Sequence, residues 1–548
     1  MDMRRLFLFL IFSFSLVVLW GEWTRQNQPA QTPATASAVA SKDPSAPPVA
    51  TVTIPKAAAT AVAVETPKTP TGKTLFVTTD TLKVEINTVG GNIERLDLLQ
   101  HRTANDQSKP IILMQRQGGL TYLAQSGLLG KGLPTHNAEF QAEVSDYALT
   151  EGKDTIDVKL TSLNSEGVRV NKIYTFHRAS YLIDVAYEIE NKGSEVIASS
   201  AYFQLVRDST LPEGASAFVP TYTGAAAYTD QEKYLKIEFS DIEKNKVSLP
   251  KAPDNGWIGM VQHYFVSAWL PQGKTVREFY TKHLEGNLFS VGVILPVASI
   301  EPNQTVKVST PLYVGPAVSQ LDEVAPGLGL TVDYGMFTVF AAPLFWLMSF
   351  LNDLVHNWGV AIVLLTVLIK LAFFPLSAAS YRSMAKMRVV APKLELIKKQ
   401  YGDDRERLNK AMMDLYKTEK INPLGGCLPV LIQIPVFIGL YWAILESVEL
   451  RHAPFFGWIT DLSATDPYFI LPLIMGASMI IQSRLNPTPT DPIQAKVMQI
   501  MPIAFSVIFF FFPAGLVLYS LVNNLLSIGQ QWYINRDAEA AQKGISKA

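Results

Sequence analysis

A charged segment, Leu376–Pro429, lies between two apolar runs, and this arrangement constrains the chain more than any other feature. Before it comes WGVAIVLLTVLIKLAFFPL (Trp358–Leu376), and after it LPVLIQIPVFIGLYWAILESV (Leu428–Val448). Each run matches the roughly 20 residues that a helix needs to cross hydrocarbon. The segment between them holds eleven Lys and Arg against six Asp and Glu, an excess of five. Short loops with such an excess stay on the cytoplasmic side of a membrane. The two runs therefore predict antiparallel spans joined on the inside.

The charged segment has internal order. Met387, Val390, Leu394, Ile397 and Tyr401 recur at spacings of three and four, which sets them on one helical face. Gly402 offers a stop, and Asp403 with Glu406 fits a capping box for a second helix. Leu408, Ala411, Met412 and Leu415 line one face of that helix. Two short helices joined through these stripes predict an αα-hairpin over residues 377–427.

The 548 residues are too many for one ordinary domain. Arg4 and Arg5 precede the apolar run Leu6–Trp20, a signal peptide or a retained anchor. No small-x-small cleavage pattern follows directly, and Trp20 and Trp23 suit a membrane interface. The expectation is an anchor over 1–25 with its N-terminus inside. Residues 26–73 are rich in Pro, Ala and Thr and too poor in apolar bulk to offset ordering entropy, so they predict a disordered tether. From Leu75 to about Val324 the period becomes two, as in Leu82, Val84 and Ile86, or Tyr181, Ile183, Val185, Tyr187 and Ile189. VNKIYTFHR and VKVSTPLYVG read as further strands, with turns at Gly90-Gly91 and Asn191-Lys192-Gly193. This predicts a large antiparallel sandwich over 74–330, outside the cytoplasm.

Met336–Leu351 is apolar enough to be counted as a span. Crossing there would turn the basic hairpin outward, against the positive-inside bias. Pro343 also interrupts it. An interfacial or re-entrant helix on the outer face, within 331–357, is expected instead. Spans then follow at 358–376, 428–448, 468–483, 497–512 and 515–533. A poorly basic outer loop occupies 449–467, an inner loop 484–496 and an inner tail 534–548. With the anchor the count is six, N-in and C-in. The last spans hold about 15 to 18 residues, roughly 22–27 Å against a core of about 30 Å, which implies local thinning of the bilayer.

Lys370 sits within an otherwise apolar span. An ionisable group there costs roughly 2.5–3.5 kcal/mol and marks a functional site by default. Snorkelling is the plain alternative, since Leu376 is only about 9 Å further along by helical rise. Thr366 shares the face of Lys370, one turn earlier. Gln433, Ser506, Ser520, Asn523 and Asn524 add polar groups inside other spans, which predicts a hydrated pocket open to the inner side. The single cysteine, Cys427, excludes an internal disulfide and a CxxC pair, and no HExxH occurs. SGLLGKG (Ser126–Gly132) fails as a phosphate loop, with Gln125 in place of the first Gly and Gly132 in place of Ser/Thr. No cofactor, metal or nucleotide is expected. The near-neutral net charge gives no case for nucleic acid.

The stretches Ser383–Asp404, Tyr416–Phe437 (with NPLGGCLP), Ala453–Gly476 and Phe512–Gln531 strongly resemble the YidC/Oxa/Alb membrane protein insertases. The anchor and large extracytoplasmic domain match the Gram-negative form of that family. The resemblance implies a multidomain inner-membrane protein, with an all-β periplasmic supersandwich, an α-helical bundle of six transmembrane helices and a cytoplasmic helical hairpin. It further implies a hydrophilic groove open to cytoplasm and lipid, lined by Lys370, Thr366, Gln433, Ser506, Tyr519, Ser520 and Asn523. The family usually has Arg at the position of Lys370, and a Tyr-Tyr pair where Tyr519-Ser520 stands. Implied partners are nascent membrane proteins, the lipid bilayer and the Sec translocon. A ribosome contact is expected to be weak, since the tail sets Arg536, Lys543 and Lys547 against Asp537 and Glu539. The implied function is nucleotide-independent insertion and chaperoning, alone or with Sec, and not enzymatic turnover. The alternative is a solute transporter or channel with a periplasmic sugar-binding-like domain. That would favour internal repeats and paired broken helices, which the sequence does not show.

Overall fold

In a computed structural model, residues 72–103, 106–164, 167–212, 221–402, 404–419, 428–485 and 492–545 are described, all within one compact unit. The expected anchor and nearly all of the tether lie outside them, as do Asp403, Cys427 and the NPLGG stretch.

Strands with one inward and one outward face build the first part of the chain. Among the described residues they form two sheets. One runs, edge to edge, β15 (Glu278–His283), β16 (Leu288–Ile300), β10 (Ile197–Asp208), β5 (Leu120–Leu129), β4 (Pro110–Gln117), β3 (Asn92–Arg102), β2 (Leu82–Asn87), β1 (Thr74–Thr78) and β6 (Asp146–Ala148). The other runs β12 (Lys233–Ile237), β11 (Gly224–Thr229), β13 (Trp257–Gln262), β14 (Phe265–Trp269), β17 (Thr305–Pro316), β9 (Leu182–Asn191), β8 (Val168–His177) and β7 (Thr155–Leu163). Pairing is antiparallel except between β1 and β6. Leu82, Val84 and Ile86 face inward, as do Ile183, Val185, Tyr187 and Ile189, as their alternation predicts. The period-two pattern stops at Pro316, and short 3-10 turns replace strands up to Thr331.

One inward position breaks the apolar rule. Lys172 shares the inner face of β8 with Val170, Tyr174 and Phe176 and is fully buried. Its Nζ donates to Gly90 O at 2.9 Å and lies 5.3 and 5.5 Å from the ring centres of Tyr174 and Tyr187. Burial holds this amine well below its ordinary range. Gly90 and Gly91 are both in the left-handed region, and a Cβ on Gly91 would press Lys172 Cδ at 3.0 Å. The predicted turn therefore needs its glycines twice, for φ and for the lysine beneath it.

Helix α1 (Phe239–Glu243) is a short insert in the β-domain. The rest of the chain is helical. Helix α2 (Thr338–Val355) ends at His356 in the left-handed region, and Asn357 then caps α3 (Trp358–Ala372), accepting from Val360 N at 2.9 Å. The predicted span to Leu376 stops four residues early. At Phe373 the axis bends by 66° into α4 (Phe374–Tyr401). Pro375 explains the break, because it lacks the N–H that would bond back to Leu371 and its ring restricts Phe374.

Helix α5 (Arg405–Thr418) folds back on α4. Val390 and Leu394 are buried against Met412, Leu415 and Tyr416, with Met387 packed alongside. Lys393 bridges to Glu419 at 2.6 Å across the pair. Ile397 and Leu408, nearer the turn, are half-buried and outside that cluster. The cap falls one residue later than expected. Asp404 accepts from Arg407 N at 3.1 Å, so Glu406 stands two residues after the cap and does not close a capping box.

Helices α6 (Leu428–Glu446), α7 (Ile470–Leu485), α8 (Pro492–Phe509) and α9 (Ala514–Ile545) complete the bundle. Ala341, Phe345, Ile362, Leu365, Leu440, Ile444, Met475 and Val517 meet in one core. Close approach needs small residues at the crossings. A Cβ on Gly439 would reach Phe340 Cβ at 2.9 Å, and one on Gly476 would reach Ser506 Oγ at 2.5 Å. The outward faces are apolar too, with Val339, Trp346 and Phe350 exposed on α2, Leu473 and Ile481 on α7, and Ile500, Ile503 and Val507 on α8. A bundle that is apolar outside as well as inside suits lipid rather than water.

Among the described residues, Gly335–Val355 is the one helix that by itself is long and apolar enough to cross a membrane. This is the segment expected not to cross. Trp358–Ala372 with Phe374–Met387 meets the same measure as a bent pair, and Gln433–Glu446, Ile470–Leu485 and Ile500–Phe509 are shorter apolar helices. Both ends of α2 nevertheless meet one stretch of chain. The turn Gly335–Phe337 at its start touches α6, and Asn357 after its end donates to Phe455 O at 3.4 Å.

Candidate functional site

Among the described residues, the candidate polar side chains of the bundle fall into four arrangements. The first surrounds Lys370. Lys370 Nζ donates to Ser527 Oγ at 2.7 Å, and Ser527 Oγ donates to Asn523 O at 2.7 Å. Tyr381 on α4 is buried in one cluster with Ala378 and with Ile534 of α9. Ser527 is buried, whereas Lys370 is half-buried at the edge of the bundle. The second pairs α6 with α9, where the Gln433 amide donates to the buried Tyr519 hydroxyl.

The third arrangement is a seam between α7 and α9. Asn524 Nδ2 donates to Ser478 Oγ at 2.7 Å and Gln531 Nε2 donates to Leu485 O at 3.2 Å. These groups join the two helices. The fourth is local. Thr366 Oγ1 donates to Ile362 O at 2.7 Å and is fully buried, and Ser506 Oγ donates to Pro502 O at 2.8 Å. Neither reaches across to Lys370 through those bonds. Ser520 Oγ and Asn523 Oδ1 are buried without a protein partner among the described residues. Of the candidate residues, then, Asn523 joins the cation through its backbone, Gln433 meets Tyr519, and Thr366 and Ser506 stay on their own helices.

Sequence reasoning missed Ser527, Tyr381 and Gln531. A signal for two of them exists in the spacing. Ser520, Asn524, Ser527 and Gln531 recur at four, three and four residues along α9. Tyr381 carries no such mark.

A second polar region joins the helices to the β-domain. His263 Nε2 lies 3.0 Å from Leu445 O, and Val448 is buried within the β-domain core cluster. Arg451 lies over the Tyr264 ring, 5.7 Å from its centre. His452 Nδ1 stands 3.1 Å from Asp461 Oδ2. Burial lowers His263 to about 4 and raises Glu449 to about 7. Among the described residues no group of acidic, His and Cys side chains could hold a metal ion.

The comparisons with known proteins bear on both parts of the chain. Residues 74–347 match the YidC periplasmic domain and residues 350–542 match the 60Kd inner membrane protein family. The membrane protein insertase YidC of Methylobacillus flagellatus is 55% identical over 99% of this chain and 98% of its own length. That of Nitrosospira multiformis is 53% identical over 100% of this chain and 99% of its own. A crystal structure of an active YidC insertase with its first transmembrane domain resolved is 21% identical, with a TM-score of 0.40, over 85% of this chain and 93% of that one. Both domains in order, and full-length relatives at more than half identity, show that the chain belongs to the YidC family of membrane protein insertases.

Proposed function

We infer that this chain inserts and chaperones integral proteins of the inner membrane, through a polar groove that faces the cytoplasm and the lipid. Lys370 carries the reading, as a half-buried cation held among helices whose outer faces are apolar. Gly515 at the outer end of α9 packs beside Ile362 of α3, and Ser527 lies twelve residues further on. That is about 18 Å of helical rise, which sets the cation in the inner half of a core about 30 Å thick. Ser520 Oγ and Asn523 Oδ1 lie on the same stretch of helix as groups that water can satisfy. A hydrated cation there lowers the cost of bringing the acidic or polar flank of a client partway in. The client's apolar segment then leaves into lipid, driven by burial of its surface. Short helices shorten the path by thinning the bilayer. This work needs no nucleotide from the chain itself.

The topology proposed is N-in and C-in with six spans, the hairpin α4–α5 in the cytoplasm and α2 lying at the outer face. The attachment of both ends of α2 near the outer end of α6 supports this reading of α2. Nascent membrane proteins are the clients, the Sec translocon a partner for larger ones, and the ribosome at most a weak contact. Depleting the chain and taking a census of membrane proteins tests the function. Proteins with short translocated tails should fail to insert first, and a census unchanged by depletion would refute it.

A further inference from the structure

The bend between α3 and α4 lies close to the hydroxyl that holds the cation. Lys370, three residues before the break at Phe373, bonds to Ser527 of α9, and Tyr381, eight residues after it, is buried in one cluster with Ile534 of the same helix. A serine hydroxyl has one proton and two acceptor sites. The proton goes to Asn523 O, which leaves the lone pairs free to accept from Lys370. A lysine stem has free rotations enough to carry its ammonium toward the headgroups. With the break at Phe373 only about 4.5 Å further along, an untethered ammonium would leave the interior. The 2.7 Å bond to a buried hydroxyl opposes that movement.

We propose that Ser527 is the positioning residue for Lys370. It holds the ammonium at the depth where it meets the acidic flank of a client. The proposal rests on Lys370 being the groove cation. It assigns to Ser527 a part in selecting clients by tail charge.

The test uses the full chain in proteoliposomes and two single-span clients that differ only in whether the translocated tail is acidic or neutral. The quantity read is the ratio of acidic-tail to neutral-tail insertion. Ser527→Ala should lower this ratio about three- to tenfold, and Ser527→Thr, which keeps the hydroxyl, should restore it. The double variant Ser527→Ala with Lys370→Ala should show the same ratio as Lys370→Ala alone, because Ser527 acts through the lysine. If the alanine protein does not accumulate, Ser527→Cys replaces it, with similar volume and a much weaker acceptor. An unchanged ratio, or a loss in the double variant beyond that of Lys370→Ala, overturns the positioning role. If Lys370→Ala itself leaves the ratio at the wild-type value, the reading of Lys370 as groove cation fails, and the role of Ser527 falls with it.

Discussion

Lys370 is held by one bond to a serine on another helix, and charge at that depth is its purpose in this account. Lys370→Arg keeps the charge and should retain insertion within about twofold, although the fork replaces a single ammonium. Lys370→Ala should fold, because removing a lone charge from an apolar span costs little. Its acidic-tail insertion should fall about tenfold, equal to roughly 1.4 kcal/mol. A second residue offers a test by pH. Burial raises Glu449 from 4.5 to about 7, so between these values the folded chain keeps a proton that the unfolded chain releases. The stabilising difference is full below about 4.5 and is lost as pH rises to about 7. Glu449→Gln should therefore stabilise the chain by about 1–3 kcal/mol at pH 8 and by nothing near pH 4.5. His263 acts in the opposite sense, losing stability as pH falls from 6.5 to about 4, so variant and wild type are compared at pH 8, above that transition. Equal melting points of variant and wild type at pH 8 would contradict the burial of this carboxyl. At this scale the sequence was informative where a residue is costly in its place. Lys370 is visible because nothing else in its span is charged, whereas Ser527 carries only the weaker mark of its spacing with Ser520, Asn524 and Gln531. The strand VNKIYTFHR was legible, but the inward place of Lys172 on it was not, because a lysine argues against burial unless a partner such as the carbonyl of Gly90 is supplied.

The hairpin of α4 and α5 is held by an apolar seam rather than by its surface charges. Leu394 is 6% exposed within that seam. Leu394→Asp should cost about 2–4 kcal/mol of hairpin stability and impair insertion. Lys398→Ala should change insertion little, since exposed ion pairs contribute about 0–1 kcal/mol each. Equal effects in the same insertion assay would make surface charge the active feature. The stripe was legible because helical periodicity is local. The cap was not, because two adjacent aspartates, Asp403 and Asp404, give the local pattern no way to choose between them. The bend at Phe373 had a signal in Pro375, but an apolar run hides a break that does not change its hydropathy. In the β-domain, alternation located the strands, whereas the order of the two sheets depends on pairings far apart in sequence and carries no local mark.

At the scale of the whole molecule the β-domain and the helices are locked together at the stretch after α6, where Val448 enters the β-domain core. Deleting residues 75–312 while keeping the anchor should leave simple clients inserting, at a lower melting temperature because this apolar contact is uncovered. Complete loss of insertion by a deletion that accumulates in the membrane would contradict that division of labour. The position of α2 is the other global point. It has the length and apolarity of a span, and only the charge of the hairpin and the two attachments of its ends argue otherwise. A cysteine at position 398 should be shielded from an impermeant thiol reagent in intact spheroplasts, and labelling there would move the hairpin outside. The central claim, that this chain alone inserts proteins through a cationic groove, is tested most directly in proteoliposomes that contain it and no nucleotide. A single-span client with a short acidic tail is added, and protection of that tail from external protease is measured. The account predicts protection with wild type and with Lys370→Arg, and its loss with Lys370→Ala. Protection equal to that in protein-free liposomes, or solute flux without insertion, would contradict it.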